Sequence, residues 1–300
     1  CWSGWILNVR VKCPASCGEL MQGWIEGSEK LISYPIDWYS EVIIEEQLSM
    51  QQSPQLSKNS KVWDAFHKTC AYFGLEAAQI PRVSITVSSS IPVAKGMASS
   101  TADIAAAVLA TATLLGYELT SQQLAQICLS MEATDSTIFP SLTLFDHLLG
   151  KTIVESQWIP TFHVLVLEPM DTLITEVFRK DNHQQLLLAN YEQLSTAYKI
   201  YQQAVGEQSV SKLGEAATMS AIANQRILPK KRFQDLCEIV NKSQILGINV
   251  AHSGTVIGLM YDDKRTDVEA LIRLLDDHKI KDDYPKYHIK QSVIGGPRIV

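Results

Sequence analysis

The chain is 300 residues long, about twice a common domain length, so it has material for one large or two smaller cores. Its 26 Lys and Arg against 32 Asp and Glu give a net charge of −6, which argues against nucleic-acid binding through clustered basic residues. With 46% hydrophobic and 19% charged residues it is globular in composition, and its longest uncharged apolar stretch, Ile104 to Gly116, is too short to cross a bilayer. The six cysteines (Cys1, Cys13, Cys17, Cys70, Cys128, Cys237) are too sparse for a disulfide framework. Reduced thiols in a cytoplasm are expected, and the opening CWSGWILNV carries no basic leader segment. Cys13 and Cys17 have no second Cys/His pair beside them, so a metal site there is not expected.

Polar and apolar residues alternate in four short runs, Trp5 to Cys13, Glu19 to Ile25, Leu31 to Trp38 and Glu41 to Gln47, which predicts strands joined by turns at Gly18, Gly23, Gly27 and Pro35. A polar stretch from Gln51 to Lys61 leads into a helical pattern over Val62 to Phe73, and Pro81 to Ser88 alternates as another strand. A loop from Ile91 enters an almost wholly apolar helix ending near Gly116, and a second helix, Ser121 to Met131, has an N-cap at Thr120 or Ser121. Strands follow at Lys151 to Trp158 and Phe162 to Glu168. Helices fill Asn182 to Val205, Ser209 to Ile227 and Lys231 to Asn241. The end reads strand, strand, helix, strand over Gly247 to Ala251, Thr255 to Tyr261, Thr266 to Asp277 and Tyr287 to Ile294. Strands and helices mix without regular βα alternation, so the predicted class is α+β. The softest boundary lies near Gln157 to Thr161, dividing the chain into 1–158 and 159–300.

Pro92-Val93-Ala94-Lys95-Gly96-Met97-Ala98-Ser99-Ser100-Thr101 is the most informative segment. Small residues let the backbone approach a ligand, and Gly96 accepts positive φ at little cost. A first helical turn leaves N–H groups without intrahelical partners, and the macrodipole favours negative charge there, so a triphosphate fits. The hydroxyls of Ser99 and Ser100 can bond phosphate oxygens or complete a Mg2+ shell. Ser-Ser-Thr ahead of a helix is also what N-capping alone selects. No Walker A sequence is present, and Lys95 need not touch phosphate. Asp103, in the first turn, is read as pointing outward.

Glu132 and Asp135 are spaced i, i+3 and share a face if the second helix reaches them. A carboxylate pair suits phosphoryl transfer, one holding Mg2+ and one accepting a hydroxyl proton; a solvated helix end with Asp135 capping Ser136-Thr137 is the alternative. Asp146-His147 is read as a turn.

Three segments together resemble the GHMP kinases, the superfamily of galactokinase, homoserine kinase and mevalonate kinase. PVAKGMASST-A is similar to the family's second motif, with Met97 where Leu is usual and Ala98 where Gly is common. Val11-Lys12-Cys13-Pro14-Ala15-Ser16-Cys17-Gly18-Glu19-Leu20 resembles the first, and Ile248 through Leu259, around Gly254, resembles the third. The resemblance implies a two-layer ATP-binding N-terminal domain over 1–158, a ferredoxin-like C-terminal domain over 159–300, and a substrate cleft between them. It also implies ATP and Mg2+ as cofactors, with Pro92 through Thr101 on the nucleotide, Ser99, Ser100 and Glu132 on the metal, and Asp135 as catalytic base.

CPASCGELMQGWIEG and EATDSTIFPSLTLFDHLLGK look like the L-threonine kinase (PduX) family of cobalamin biosynthesis. That family would move the ATP γ-phosphate to the threonine hydroxyl, giving O-phospho-L-threonine. An amino-acid substrate needs donors for its carboxylate and an acceptor for its ammonium, and Lys12, Ser16, Cys17 and Glu19 of the first motif are candidates. The alternatives are a kinase for another small alcohol such as homoserine, or a non-catalytic nucleotide-binding regulator. The acidic balance speaks against RNA, and neither a nucleic-acid nor a membrane partner is expected.

Overall fold

Residues 8–46 form two long strands where the sequence pattern predicts four. In the computed structural model, which describes residues 8–47, 60–174 and 183–300, β1 (Asn8–Ile25) and β2 (Ser28–Glu46) make one antiparallel hairpin. Its two-residue loop, Glu26 and Gly27, has positive φ at both positions, the handedness that matches strand twist. Pro14, Ser16 and Glu19 mark register shifts. Of the positions that read as turns, Gly27 stands in the hairpin loop, Gly23 and Pro35 are paired within the strands, and Gly18 falls in a register shift that bends β1 and re-aims its side chains. Trp5 to Leu7 of the first predicted strand, Gln51 to Asn59 of the polar stretch and Asn182 lie outside the described residues.

The elements that follow are α1 (Ser60–Tyr72), β3 (Val83–Ser89), α2 (Ser99–Leu114), α3 (Ser121–Leu129), β4 (Thr143–Phe145) and β5 (Ile153–Glu155). Next come β6 (His163–Glu168), α4 (Gln184–Ala189), α5 (Tyr191–Glu207), α6 (Val210–Asn224) and α7 (Phe233–Lys242). The chain closes with β7 (Gly247–Val250), β8 (Ile257–Tyr261), α8 (Val268–Asp277), β9 (Lys286–Gln291) and β10 (Arg298–Ile299). The helix predicted from Asn182 to Val205 is broken at Asn190, whose side-chain amide donates to Ala223 O at 2.8 Å and so ties the break to α6.

Among the described residues the strands form one sheet in the order β5-β4-β2-β1-β7-β8-β6-β9, with β3 also on β2 and β10 also on β1. The set β7-β8-β6-β9, antiparallel throughout, has the strand order of a split β-α-β-β-α-β unit with several helices in its first connection. It joins the hairpin through the pair Glu19 and Val250. The α+β class stands. Alternate residues of β6 enter opposite cores. Val164 and Val166 pack with the core of the long hairpin, α2, α5 and α6, and Leu165 and Leu167 pack with Leu236, Ile239, Leu271 and Leu275 of α7 and α8.

α2 is buried around most of its circumference, with Ala102, Ala105, Ala106, Ala107, Ala110 and Ala112 all inaccessible. Small side chains let it lie close against β1 and β2 on one side and α1 on the other. That fixes where its N-terminus sits. Asp103 does not point outward: its carboxylate accepts a hydrogen bond from Ser40 of β2, so the residue anchors the helix to the sheet. The tail crosses back over the boundary expected at 158/159. Gly295 N donates to Pro140 O at 3.0 Å, Gly296 N donates to Thr137 O at 2.8 Å, and β10 pairs with β1. No helix among the described residues is long and apolar enough to cross a membrane.

Candidate active site

The three motifs meet at one place because their backbones approach too closely for larger residues. Gly96 has φ +80°, and a Cβ there would lie 2.5 Å from Ala251 Cβ and 2.7 Å from Gly254 Cα. A Cβ on Gly254 would in turn lie 2.4 Å from Gly96 Cα and from Lys95 O. Hydrogen bonds fasten the contact. Thr255 N and Val256 N donate to Lys95 O at 2.8 and 3.2 Å, and Ser16 N of β1 donates to Met97 O at 3.1 Å. The loop between β3 and α2 is thereby held on one flank by the first motif and on the other by the third.

The N-cap of α2 is Ala98, in the left-handed region at φ 55°, and its side chain makes no capping bond. A Ser or Thr cap, the bland reading of Ser-Ser-Thr, is not what this helix uses. The first intrahelical bond runs from Ala102 N to Ala98 O at 2.9 Å, so the amides of Ser99, Ser100 and Thr101 have no partner one turn back. These residues line a cavity of about 300 Å³ together with Val93, Ala94, Gly96, Met97 and Ala98. By contrast α3 carries an orthodox capping box, Thr120 accepting from Gln123 N at 3.2 Å while Gln123 Oε1 accepts from Thr120 N at 2.9 Å.

Pro92 and Lys95 are not on the cavity wall. Lys95 is buried, and its ammonium donates to the carbonyls of Pro169 (2.6 Å), Met170 (3.1 Å) and Asp171 (2.6 Å). Burial lowers its pKa, and the three carbonyls explain how the cation is held. Its work is to hold the segment that carries Leu173 and Ile174 to the cavity rim, where Leu173 N donates to Ala94 O at 2.8 Å.

Glu132 and Asp135 both line the cavity, although not from a shared helical face. α3 ends at Leu129, and the chain turns twice before Asp135. Asp135 caps the short 3₁₀ turn Ser136–Ile138, its Oδ1 accepting from Thr137 N at 2.9 Å. Its Oδ2 accepts from Ser33 Oγ at 2.9 Å, and its own N–H donates to Thr101 Oγ1 at 3.3 Å. Capping and cavity-lining therefore coexist. Burial, and then the charge of Glu19, push the Asp135 carboxyl up to about 7, against the pull of the Thr137 and Ser33 bonds.

Of the four first-motif candidates for substrate contact, the structure brings only Glu19 to the cavity. Glu19 Oε2 accepts from His252 N at 2.7 Å and lies 3.2 Å from His252 Nδ1. Lys12 lies over the Tyr39 ring, 5.1 Å from its centroid and away from the cavity wall. Ser16 is fully buried beside the loop backbone. Cys17 is also fully buried: its carbonyl accepts from Asn249 Nδ2, and burial pushes its thiol up to about 12. The loop before α2 and the strands β7 and β8, packed against β1, enclose Ser16 and Cys17, and the isolated motif carries no sign of those distant partners. Asp146 is a turn former, accepting from Leu149 N at 2.9 Å, whereas buried His147 lines the cavity.

Two lysines and one serine escaped the sequence reading. Lys61, the second residue of α1, donates from Nζ to Glu132 Oε2 at 2.5 Å and to Ser100 Oγ at 3.2 Å. Lys230 is buried and donates to Gly254 O at 2.8 Å; burial lowers its pKa to about 7 while Glu19 opposes the shift. Ser33 holds Asp135. Nothing local to these residues signals their roles, since each acts on a group far away in sequence.

The Lys61 ammonium marks where a cation fits. Ser100 Oγ and the Glu132 carboxylate converge on it, and one hydroxyl with one carboxylate is the sparse oxygen donor set that Mg2+ accepts beside waters and phosphate. Ser99 also lines the cavity, and its side chain is not drawn to this point by a hydrogen bond to Lys61 or Glu132. The residues present therefore fit a magnesium ion between Ser100 and Glu132.

The model of the GHMP kinases N terminal domain matches residues 60–139, the span from Lys61's helix to the Asp135 turn. The chain is 45% identical over 293 residues to an L-threonine kinase of Salmonella typhimurium, covering 97% of this chain and 96% of the relative. It is 42% identical over 285 residues to an L-threonine kinase of Citrobacter freundii, covering 95% of this chain and 97% of that one. Among solved structures, a homoserine kinase from Cytophaga hutchinsonii superposes with a TM-score of 0.67 over 100% of this chain and 99% of its own, at 16% identity, a likeness of fold. The chain belongs to the GHMP kinases, in one family with the L-threonine kinases of Salmonella and Citrobacter.

Proposed function

We propose that this protein is an ATP-dependent kinase that transfers the γ-phosphate to the hydroxyl of L-threonine. The observation that carries the reading is the hydrogen bond from Asp135 N to Thr101 Oγ1, which places a carboxylate directly beside the first turn of α2 in one cavity. Phosphoryl transfer needs little covalent help from a protein; it needs the phosphates, the hydroxyl and a proton acceptor held in line.

The amides of Ser99, Ser100 and Thr101 and the positive end of α2 would hold the polyphosphate. Mg2+ bound by Ser100 and Glu132 would supply neutralisation of charge on the phosphate oxygens. Asp135, fixed by Ser33 and Thr137, accepts the hydroxyl proton as the threonine oxygen attacks the γ-phosphorus and the bond to the bridging oxygen of ADP breaks. A carboxyl with a pKa near 7 is a better proton acceptor than an ordinary aspartate, about half ionised at neutral pH and almost wholly so a unit or more above it. Glu19, the further acid on the wall, supplies the acceptor that a substrate ammonium requires. The high identity to two L-threonine kinases over nearly their whole length supports threonine over other small alcohols. The product would be O-phospho-L-threonine, and we assign its use to cobalamin assembly on the family likeness.

Purified protein with Mg-ATP should release ADP on addition of L-threonine far faster than with homoserine, serine or mevalonate. Equal rates across that panel would defeat the substrate assignment. ADP release with none of them would favour a nucleotide-binding regulator.

A further inference from the structure

Charge in the cavity is unbalanced in a way that singles out one side chain. Three carboxylates, Glu19, Glu132 and Asp135, line it, and Lys61 is the sole lysine or arginine among its described lining residues. The neighbouring lysines are committed elsewhere, Lys95 to the carbonyls of 169–171 and Lys230 to Gly254 O. A polyphosphate entering this acidic cavity meets one side-chain cation, and that cation stands on the two oxygens that also suit a divalent metal.

Both cannot hold that point together. An ammonium 2.5 Å from Glu132 Oε2 fills the approach a metal would need, and two cations at one carboxylate repel strongly. Lys61 has room to leave. Its side chain is 41% exposed, against 18% for Glu132, and a four-carbon stem rising from the first turn of α1 can swing without disturbing the helix. Phosphate oxygens at the start of α2 give it somewhere to go, because Ser100 is both its present partner and part of that turn.

We propose that Lys61 is a resident counter-cation that exchanges with the divalent metal. In the protein alone its ammonium bridges Ser100 and Glu132 and keeps metal out. When nucleotide arrives, Lys61 moves onto the polyphosphate and yields both oxygens to the metal. This rests on the kinase reading above and adds a rule of order: metal binds well only together with nucleotide. Metal and nucleotide must then raise each other's affinity, and Lys61 is the source of part of that coupling.

Binding measurements test this without turnover. Mn2+ is titrated into the full-length protein by electron paramagnetic resonance, alone and with a non-hydrolysable ATP analogue, and the analogue is titrated without metal by calorimetry. Lys61→Met should bind Mn2+ alone about tenfold or more tightly than wild type, bind the metal-free analogue about tenfold more weakly, and lose part of the mutual enhancement. Lys61→Arg, which keeps the charge, should behave like wild type in the metal-only titration. Glu132→Gln should abolish the tight Mn2+ binding gained in Lys61→Met. If wild type binds the Mn2+–analogue pair and Lys61→Met matches it in metal-only affinity, the exchange is overturned while the kinase reading survives. If wild type binds no Mn2+–analogue pair at all, both fall.

Discussion

Ser33 Oγ donates to Asp135 Oδ2 at 2.9 Å, a contact between residues 102 positions apart that joins the long hairpin to the turn after α3. The same serine's N–H donates to Ser136 Oγ at 2.8 Å, so β2 grips the turn twice. Glu19 sits directly opposite Ser33 in the β1–β2 register, which puts its charge beside Asp135. The carboxyl thus has two neighbours that lower its pKa, Ser33 and Thr137, and one, Glu19, that raises it.

Asp135→Asn should lower kcat by about 10²- to 10⁴-fold while nucleotide affinity stays near that of wild type, the result expected when a general base is removed. Steady-state kinetics alongside calorimetry with an ATP analogue checks it. An unchanged kcat would move the base elsewhere.

The acid limb of the kcat/KM profile should have an apparent pKa near 7, that of the Asp135 carboxyl in the free enzyme. Glu19→Gln removes the charge that disfavours ionisation, so the limb should move to lower pH. Ser33→Ala removes a bond to the ionised form, so the limb should move to higher pH. Shifts of the same sign in both variants would refute this arrangement.

The same raised pKa has a stability consequence. Between about pH 4 and 7 the folded protein retains a proton at Asp135 that the unfolded chain has released, so stability falls as pH rises through that window. Asp135→Asn should remove this decline and melt higher than wild type at pH 8, by thermal unfolding measured from pH 4 to pH 8.

Two hydroxyl substitutions should separate binding from capping. Ser100→Ala should weaken Mg-ATP binding with little change in Tm, because α2 is capped by Ala98 without a side-chain bond. Thr120→Ala should leave nucleotide affinity alone and cost about 1 kcal/mol of stability through loss of the α3 cap. Denaturant melts and calorimetry on both variants provide the comparison.

Gly254→Ala should cost about 1–3 kcal/mol from overpacking against Gly96 and Lys95, and should weaken nucleotide binding in parallel. Gly295→Ala sets a Cβ 2.0 Å from Phe139 O and should disturb the Asp135 turn, lowering kcat more than nucleotide affinity.

The expectation of an anion site at residues 92–101 needs composition alone, because small residues ahead of a helix act through their own backbone and need no distant partner. The helical pattern after Lys61, the α3 cap and the strands of the second half are equally local in origin. The division of the hairpin into four strands failed for the converse reason: Gly18 and Pro35 have the chemistry of turns, and long-range pairing of β1 with β2 takes Gly18 into a bulge and Pro35 into a strand. The i, i+3 spacing of Glu132 and Asp135 picked out two residues that line one cavity, but through a helix that ends before reaching them.

What no local pattern carries is which charges face one another. Lys12 has the character of a substrate ligand and lies on Tyr39, while Lys61, at the end of a polar stretch with no motif of its own, reaches Ser100 and Glu132. Ser33 reads as an ordinary strand residue until β2 is laid against the Asp135 turn. Backbone-borne chemistry is written into neighbouring residues, so the small-residue loop that lines the cavity ahead of α2 could be picked out in one dimension. Side-chain chemistry depends on vectors set by strand register and helix docking, so the neighbours of Asp135 and the cation between Ser100 and Glu132 appear once the chain is folded.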